Sequence, residues 1–447
     1  MVEECETLEL YDLHYSDLMA LSSSDHQLPT TSETTPYLET VMTTIMKNLG
    51  PSGPGLLAIT GVPKVSGLRQ TLLPMARKLA LLNSEDRKRV LKDHGLGTDV
   101  PLKNNDRTVS PFAMQLRYNQ NLDTNSICKP NHDSENPNEF KNLGNTFKEL
   151  GNCMIELGLH LAKVCDKIIG GHELEHTLLE SHSAKGRLIH YHSHQNNLIS
   201  QPLTTKQTVK KPNLNNHSNL WQQWHYDYGV FTVLTTPMFI SCDGQEYPSS
   251  NGHMYLQIFD PNKNIVVLVK APVGSFIVQV GESGEIISKG KLHASLHSVY
   301  RPKNLGNMSR EIFVVFLQPS WSRRLYLYDF SVENSSSENE ENQCPKKSLE
   351  IGKLVPRLCD RLKDGMTFAE FSRETTKQYY GSSGLQSKRW NDIYNILKRN
   401  DKIVLWKQWI AVKGIEGTKL IARDPSLRLR LDKLTFGTST LVVVVVT

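Results

Sequence analysis

The chain has 447 residues, 51 Lys and Arg against 46 Asp and Glu, and a net charge of +5 at pH 7. Residues 390–447 hold ten basic and five acidic side chains and so carry the whole excess, which leaves the rest balanced and removes any compositional case for nucleic acid. Seven cysteines, odd in number and without a CxxC pair, read as reduced thiols, and no stretch reaches the ~20 apolar residues that span a bilayer.

The start, MVEECETLEL, is acidic where a signal peptide needs a basic and then an apolar run, so the cytoplasm is the expected compartment. Residues 1–50 then give an amphipathic opening, a polar break at 22–27 and a helix from Pro36 to Leu49 that PSGPG stops. Leu56–Thr60 reads as a short buried strand ended by Gly61, and Ser66–Leu82 as a helix rich in Leu and Ala. Asn83 is the predicted cap of a further helix that ends near Gly95. From Leu143 the apolar residues recur at 147, 150, 154, 157, 161, 164 and 168, alternating steps of four and three that lay one stripe along a helix. A coiled coil has the same period, but Gly151, Gly158 and the terminal Gly170-Gly171 favour a single helix packed under a sheet.

Beyond it the texture changes to strands: Leu188–His192, Gly229–Thr236, Met254–Phe259, Ile265–Lys270, Ser275–Val280, Ser295–Tyr300 and Glu311–Gln318, with Asp260-Pro261-Asn262-Lys263 as a hairpin turn. Short strands joined by Gly- and Pro-containing turns predict a double-sheet jelly roll whose mouth is a natural ligand site. Polar insertions at 119–141, 193–220, 241–253 and 333–345 have compositions that rarely pack and are expected as mobile loops. His172, His176, His182, His192, His194 and His217 lie in or near them and read as surface residues. Trp221 and Trp224 read as packing. After Arg389, WNDIYNILKRNDKIVLWKQWIAVKG has an amphipathic helical pattern, whereas the closing TLVVVVVT is an apolar β-former with no partner and an aggregation hazard if exposed. This extension reads as an unusual addition or an error in the predicted gene rather than a partner-binding tail.

Chemistry concentrates in residues 221–319. His225 and Asp227 form an HxD, His297 follows 72 residues after His225, and Arg310 stands 13 further on. Two imidazoles and one carboxylate on one face of a metal make the facial triad of non-haem Fe(II) oxygenases. An HxD alone arises by chance in a chain with 16 His, so the order and spacing of the other residues carry the reading. Residues 293, 295 and 297 share one face of a strand, so periodicity does not choose between His293 and His297.

WHYDYGVFTVL, LQIFDPNKNIVVLVKAPVGSFIVQVGE, SLHSV and SREIFVVFLQP follow one another in a recognisable order. In them the chain resembles the plant soluble 2-oxoglutarate and Fe(II)-dependent dioxygenases, the isopenicillin N synthase-like group, from GLLAITGVP to about Arg389. The resemblance implies an α+β fold: a double-stranded β-helix (jelly roll) core with an N-terminal helical region and a long supporting helix. It divides the chain into an N-terminal α/β region at 1–180, the dioxygenase core at 181–332, a polar linker with C-terminal helices at 333–389, and a poorly ordered basic extension at 390–447.

By the same resemblance His225, Asp227 and His297 hold Fe(II), L-H-S-V selecting His297 over His293. Arg310 takes the far carboxylate of the co-substrate 2-oxoglutarate. Tyr191, in RLIHYH, aligns with the second Tyr of the family's Asn-Tyr-Tyr-Pro and helps bind that co-substrate. O2 is the oxidant and ascorbate a supporting reductant. The implied reaction oxidises a C–H bond of a small organic metabolite, by hydroxylation, desaturation or ring closure, with release of succinate and CO2. A monomer without nucleic-acid or membrane partners is expected. One departure stands out: the family's Arg-x-Ser is Arg310-Glu311-Ile312 here, without the hydroxyl. The alternatives are an iron-dependent oxidase that does not use 2-oxoglutarate and a jelly-roll binding protein without turnover.

Overall fold

The computed structural model describes residues 6–23, 34–98, 109–118, 139–193, 220–247, 252–260, 263, 265–302, 307–327, 355–380, 429–436 and 439–446, and it is α+β. Residues 1–391 make one unit and 392–447 another. The first begins with two short strands, β1 (Thr7–Glu9) and β2 (Asp12–His14), then two helices, α1 (Tyr15–Ser23) and α2 (Thr34–Leu49). β3 (Leu56–Thr60) precedes α3 (Val65–Leu81) and α4 (Ser84–Asp93). The predicted cap is in place, because the Asn83 side chain accepts from the N–H groups of Glu85 at 3.1 Å and Asp86 at 2.9 Å. Two of the donors that a helix start leaves over are thereby satisfied.

β4 (Val109–Arg117) is a strand that the pattern does not announce, since Pro111 argues against a central strand. It lies at the end of its sheet, where a missing N–H costs little. The long α5 (Leu143–Ile169) buries its stripe of Leu143, Phe147, Leu150, Met154, Leu157, Leu161 and Val164. Two of its three glycines permit close approach to the sheet: a Cβ would come within 2.4 Å of the Leu116 side chain at Gly151, and 2.7 Å of Leu317 at Gly158. α6 (Glu173–Ser181) follows, its start held by the Asp166 carboxylate, which accepts from Leu174 and Glu175 N–H.

From Ser183 strands dominate: β5 (Ser183–Tyr191), β6 (Leu220–His225), β7 (Phe231–Thr235), β8 (Met238–Ile240), β9 (Glu246–Tyr247), β10 (His253–Asp260), β11 (Ile265–Lys270), β12 (Phe276–Val280), β13 (His297–Tyr300) and β14 (Ser309–Leu317), with the short helix α7 (Glu282–Ile287) after β12. They form a five-stranded sheet, β1-β11-β10-β13-β6, and a nine-stranded one whose main path is β2-β3-β12-β7-β14-β5-β4, with β8 attached to β14 and β9 to β8. Alternation sorts each strand of the larger sheet between two cores. On β14, Phe313, Val315 and Leu317 meet the helices, while Ile312 and Val314 face inward against Ile189 and Tyr191 of β5 and Trp221 and Val299 of the smaller sheet. The two sheets therefore pack face to face, with the helices outside the larger one.

Three expectations are corrected. His192 is buried and hydrogen-bonds to Ser110 at 2.8 Å, because it continues the outward, helix-facing row of β5. The expected loop at 241–253 contains β9, paired with β8. TLVVVVVT does have a partner: the strand Leu429–Phe436 pairs antiparallel with the strand Ser439–Val446. His172, His176 and His182 are exposed as expected. Positions 119–138, 194–219, 248–251 and 333–345, with His194 and His217, and the helical pattern of 390–414 lie outside the described residues. No described helix is long and apolar enough to cross a membrane.

The first unit closes with β15 (Arg324–Leu325), α8 (Leu358–Arg361), β16 (Met366–Thr367) and α9 (Phe368–Tyr380). Arg361 ties this segment down. It donates to both carboxylate oxygens of Glu282 in α7, to the Thr375 hydroxyl at 3.0 Å and to the Pro356 carbonyl at 3.0 Å, and both members of the ion pair are buried. Breaking one half of such a pair strands the other charge, a loss of roughly 3–5 kcal/mol. Arg361→Met is therefore expected to lower the urea midpoint strongly, whereas ending the chain at Arg389 leaves it in place. Equal midpoints for wild type and Arg361→Met, or a large drop on truncation, would contradict this.

Candidate metal centre

β6 ends on His225 and β13 begins on His297, and the antiparallel register sets the two directly opposite each other. Their rings lie 4.2 Å apart between centroids. Asp227 comes from the short turn into β7, where its Oδ2 accepts from the Thr232 hydroxyl at 2.6 Å and its carbonyl from the Glu282 N–H at 2.8 Å. Gly281 makes that turn possible, since a Cβ there would sit 2.3 Å from the Gly229 carbonyl and 3.0 Å from that of Asp227. His225 Nε2 is 3.8 Å from Asp227 Oδ1, and His297 Nε2 is 3.9 Å from Oδ2. Among the described residues this is the one group of three or more His, Cys, Asp or Glu gathered for a metal, with one donor atom from each all within 4.8 Å. Such gaps are too long for direct hydrogen bonds and leave room for an ion bonded at about 2 Å to each.

The imidazoles are prepared for that role. His225 Nδ1 donates to the Gln223 carbonyl at 2.8 Å and His297 Nδ1 to that of Ser295 at 3.0 Å, which makes Nε2 the lone-pair atom of each ring, that of His225 accepting from the Gln222 amide. Burial, followed by the neighbouring His297, pushes His225 down to about 4 against the opposing pull of Asp227, so the ring is neutral at pH 7 as a ligand must be. Two glutamines that the sequence reading passed over also face the group. Gln222 joins Tyr191 to His225: its Oε1 accepts from the Tyr191 hydroxyl at 3.0 Å and its Nε2 lies 2.8 Å from His225 Nε2. The Gln279 amide nitrogen lies 2.7 Å from His297 Nδ1 while its oxygen is buried without a partner, and turning the amide lets that oxygen share the Nδ1–H with the Ser295 carbonyl. Gln279 could have been found by alternation, for it is the polar inward residue of FIVQV.

Arg310 and Tyr191 are register partners on β14 and β5, and the guanidinium lies over the ring at 4.9 Å. Burial lowers the Arg310 pKa and raises that of Tyr191, each offset by the other. Arg310 is 1% exposed; Nε donates to the Met254 carbonyl at 3.1 Å, and Nη1 is buried with no acceptor. Glu311 does not serve as its counter-ion. It points to the helix side, where both oxygens lie 2.9 Å from His190 Nδ1 and one accepts from Ser309. Ile312 is buried among Ile189, Tyr191, Trp221, Val299 and Val314, so the wall beside Arg310 is apolar. His293 stands apart from the triad, 3.8 Å from Glu285 and with its N–H on the Leu49 carbonyl. Trp221 and Trp224 pack, the first with its indole N–H on the His192 carbonyl.

No known family profile matches the chain, and no curated protein matches it. Solved structures do. Full-length T7H of Neurospora crassa, in complex with alpha-KG and 5-formyluracil, is 13% identical with a TM-score of 0.49, over 84% of this chain and 98% of that one. The dioxygenase for auxin oxidation of rice is 18% identical with a TM-score of 0.48, over 73% and 88%. Dioxygenase for auxin oxidation 1 from Arabidopsis thaliana, in a 2-oxoglutarate complex, is 14% identical with a TM-score of 0.44, over 69% and 92%. At such identities and scores, what the site can do follows from this chain's own residues.

Replacing each histidine separately tests the grouping. His297→Ala is expected to lose bound iron, and His293→Ala to keep it, when metal content is measured after anaerobic loading with Fe(II). The reverse pattern would move the third ligand to His293.

Proposed function

We propose that the protein is a non-haem Fe(II)- and 2-oxoglutarate-dependent dioxygenase with a double-stranded β-helix (jelly roll) core. Its reaction oxidises a C–H bond of a small organic metabolite and releases succinate and CO2. The observation that carries this reading is Arg310, a buried guanidinium with an orphaned Nη1 and no carboxylate partner among the described residues, on the inward face of the larger sheet, while His225 and His297 belong to the smaller sheet. A desolvated cation of that kind needs an anion. The distal carboxylate of 2-oxoglutarate meets the need in the bidentate geometry that guanidinium favours.

His225, Asp227 and His297 hold the Fe(II), a donor set of two neutral nitrogens and one carboxylate that suits it. The bound metal supplies the oxygen chemistry that no side chain can. The Gln223 and Ser295 carbonyls keep the two rings oriented, and Thr232 fixes the carboxylate. Tyr191 backs the Arg310 guanidinium with its ring, while Ile189, Ile312 and Val314 keep water from the anion-binding end.

Ile312 favours a second reading, an iron-dependent oxidase that does not use 2-oxoglutarate, because it removes the hydroxyl that the resemblance pairs with Arg310. A neutral hydrogen bond is worth about 0.5–1.5 kcal/mol, so its loss weakens the co-substrate by roughly tenfold or less. Uncoupled turnover separates the readings. With Fe(II), ascorbate and 2-oxoglutarate, wild type is expected to form succinate, Arg310→Ala to fall to background, and Ile312→Ser to lower the apparent 2-oxoglutarate constant by up to about tenfold. Iron-dependent oxygen uptake without succinate would establish the oxidase, and neither signal would leave a binding protein.

A further inference from the structure

Gln222 is the residue of β6 that simple alternation places on the wrong face. It stands three positions from His225, an odd step, so in a regular strand the two side chains would point to opposite faces of the sheet. β6 is not regular there. Its pairing with β13 runs from His225 opposite His297 to Gln222 opposite Val299, three steps of β6 against two of β13, so β6 carries one extra residue. A bulge of this kind re-aims a side chain. Gln222 is turned to the side of the ligand histidine, where it reaches Tyr191 and His225 together.

Both ends fix the orientation of the amide. The Tyr191 hydroxyl, which burial keeps protonated, donates to Oε1 at 3.0 Å, so the oxygen is engaged. His225 Nδ1 donates to the Gln223 carbonyl, which makes Nε2 an acceptor, and the Gln222 amide nitrogen donates to it at 2.8 Å. Turning the amide over would set its oxygen against that lone pair.

A metal ion held by His225, Asp227 and His297 takes the Nε2 lone pair to which Gln222 donates. The amide nitrogen then loses its one acceptor among the described residues, in a half-buried position beside the metal ligands. It cannot turn away, because Tyr191 keeps the oxygen. A donor so placed requires a new acceptor. Tyr191 in turn lies under the Arg310 guanidinium at 4.9 Å. Arg310, Tyr191, Gln222 and His225 therefore form one line of contacts from the anion-binding arginine to the metal ligands, and a molecule stretched between these ends runs alongside it.

We infer that Gln222 is a co-substrate-binding residue, whose amide N–H groups hold the α-keto carboxylate end of 2-oxoglutarate at the metal while Arg310 holds the distal carboxylate. A hydrogen bond to a carboxylate is charge-assisted and stronger than one to a neutral oxygen. The inference rests on the dioxygenase reading above, and it adds a donor from the smaller sheet to a molecule otherwise anchored on the larger one.

The test uses full-length, Fe(II)-loaded protein without oxygen and reads the visible charge-transfer absorption that an α-keto acid gives on chelating Fe(II). Two ligands are titrated: 2-oxoglutarate, and pyruvate, which has the keto-acid end but no second carboxylate for Arg310. Gln222→Leu is expected to keep its iron and to bind both ligands roughly tenfold or more weakly, as loss of a hydrogen bond to a charged group should. Arg310→Ala is expected to weaken 2-oxoglutarate and leave pyruvate unchanged. In Gln222→Glu the Tyr191 hydroxyl keeps its acceptor while a carboxylate replaces the donor, so both ligands are expected to bind more weakly than in Gln222→Leu. This arm decides by itself if Gln222→Leu does not hold iron. A role for Gln222 confined to steadying Tyr191 and Arg310 would lower 2-oxoglutarate affinity alone. Pyruvate binding equal in wild type and Gln222→Leu therefore overturns the inference, as does wild-type affinity in Gln222→Glu, and either result leaves the co-substrate reading standing. If iron-loaded wild type gives no such absorption with either ligand, the co-substrate reading falls and this inference with it.

Discussion

The site depends on one backbone register, the antiparallel pairing that sets His225 at the end of β6 against His297 at the start of β13. In a sheet the side chains alternate between faces, so a slip of one residue would turn a histidine out of the space between the sheets and bring in a neighbour. Ser298, one position on, already faces the other way and donates to Gln257. The pairing is pinned on the inward side by Trp221 and Val299, packed against Tyr191 and Val314 of the opposite sheet. Packing far from any ligand atom thus fixes where the ligand atoms fall.

Asp227 requires a different kind of support, because it lies in a turn rather than on a strand. Its backbone is held by the N–H of Glu282, the residue whose carboxylate is gripped by Arg361 from the C-terminal helices. A buried ion pair is seldom retained for stability alone, since desolvation offsets most of its Coulombic gain. Here its geometric consequence is plain. It joins three segments distant in sequence, 226–230, 281–287 and 355–375, at the point where the carboxylate enters the site.

Both faces of β14 carry a buried charged side chain. His190 and Glu311 are buried on the helix side of the larger sheet as a hydrogen-bonded pair, with Ser309 donating to the carboxylate. Arg310, one residue away on the opposite face, has no such partner and keeps an orphaned Nη1. The contrast between neighbours on one strand is physically informative: Glu311 has His190 and Ser309 as partners on one side, while Arg310 has no carboxylate partner among the described residues on the other.

Much of this was legible in the amino-acid order. The stripe of α5, the Asn83 cap, the Ile265–Lys270 strand and the opposite facing of Arg310 and Glu311 all follow from local periodicity and hydrogen-bonding chemistry, which act over a few residues. The group His225, Asp227, His297 and Arg310 could be nominated from spacing and resemblance. What local pattern could not supply was the partner of each strand. β4 was hidden by Pro111 because its edge position, which makes proline harmless, is a property of the whole sheet. The closing valine run acquired a partner only through a hairpin with Leu429–Phe436. Likewise Gln222 and Gln279 have ordinary sequence surroundings, and they matter only because strands well separated in the chain, β6, β12 and β13, bring their inward faces together. The sequence by itself determined which residues could do chemistry and which face of its strand each would take. Tertiary structure alone decided which faces meet, because that depends on long-range pairing whose entropy cost is recovered only when the whole sandwich closes.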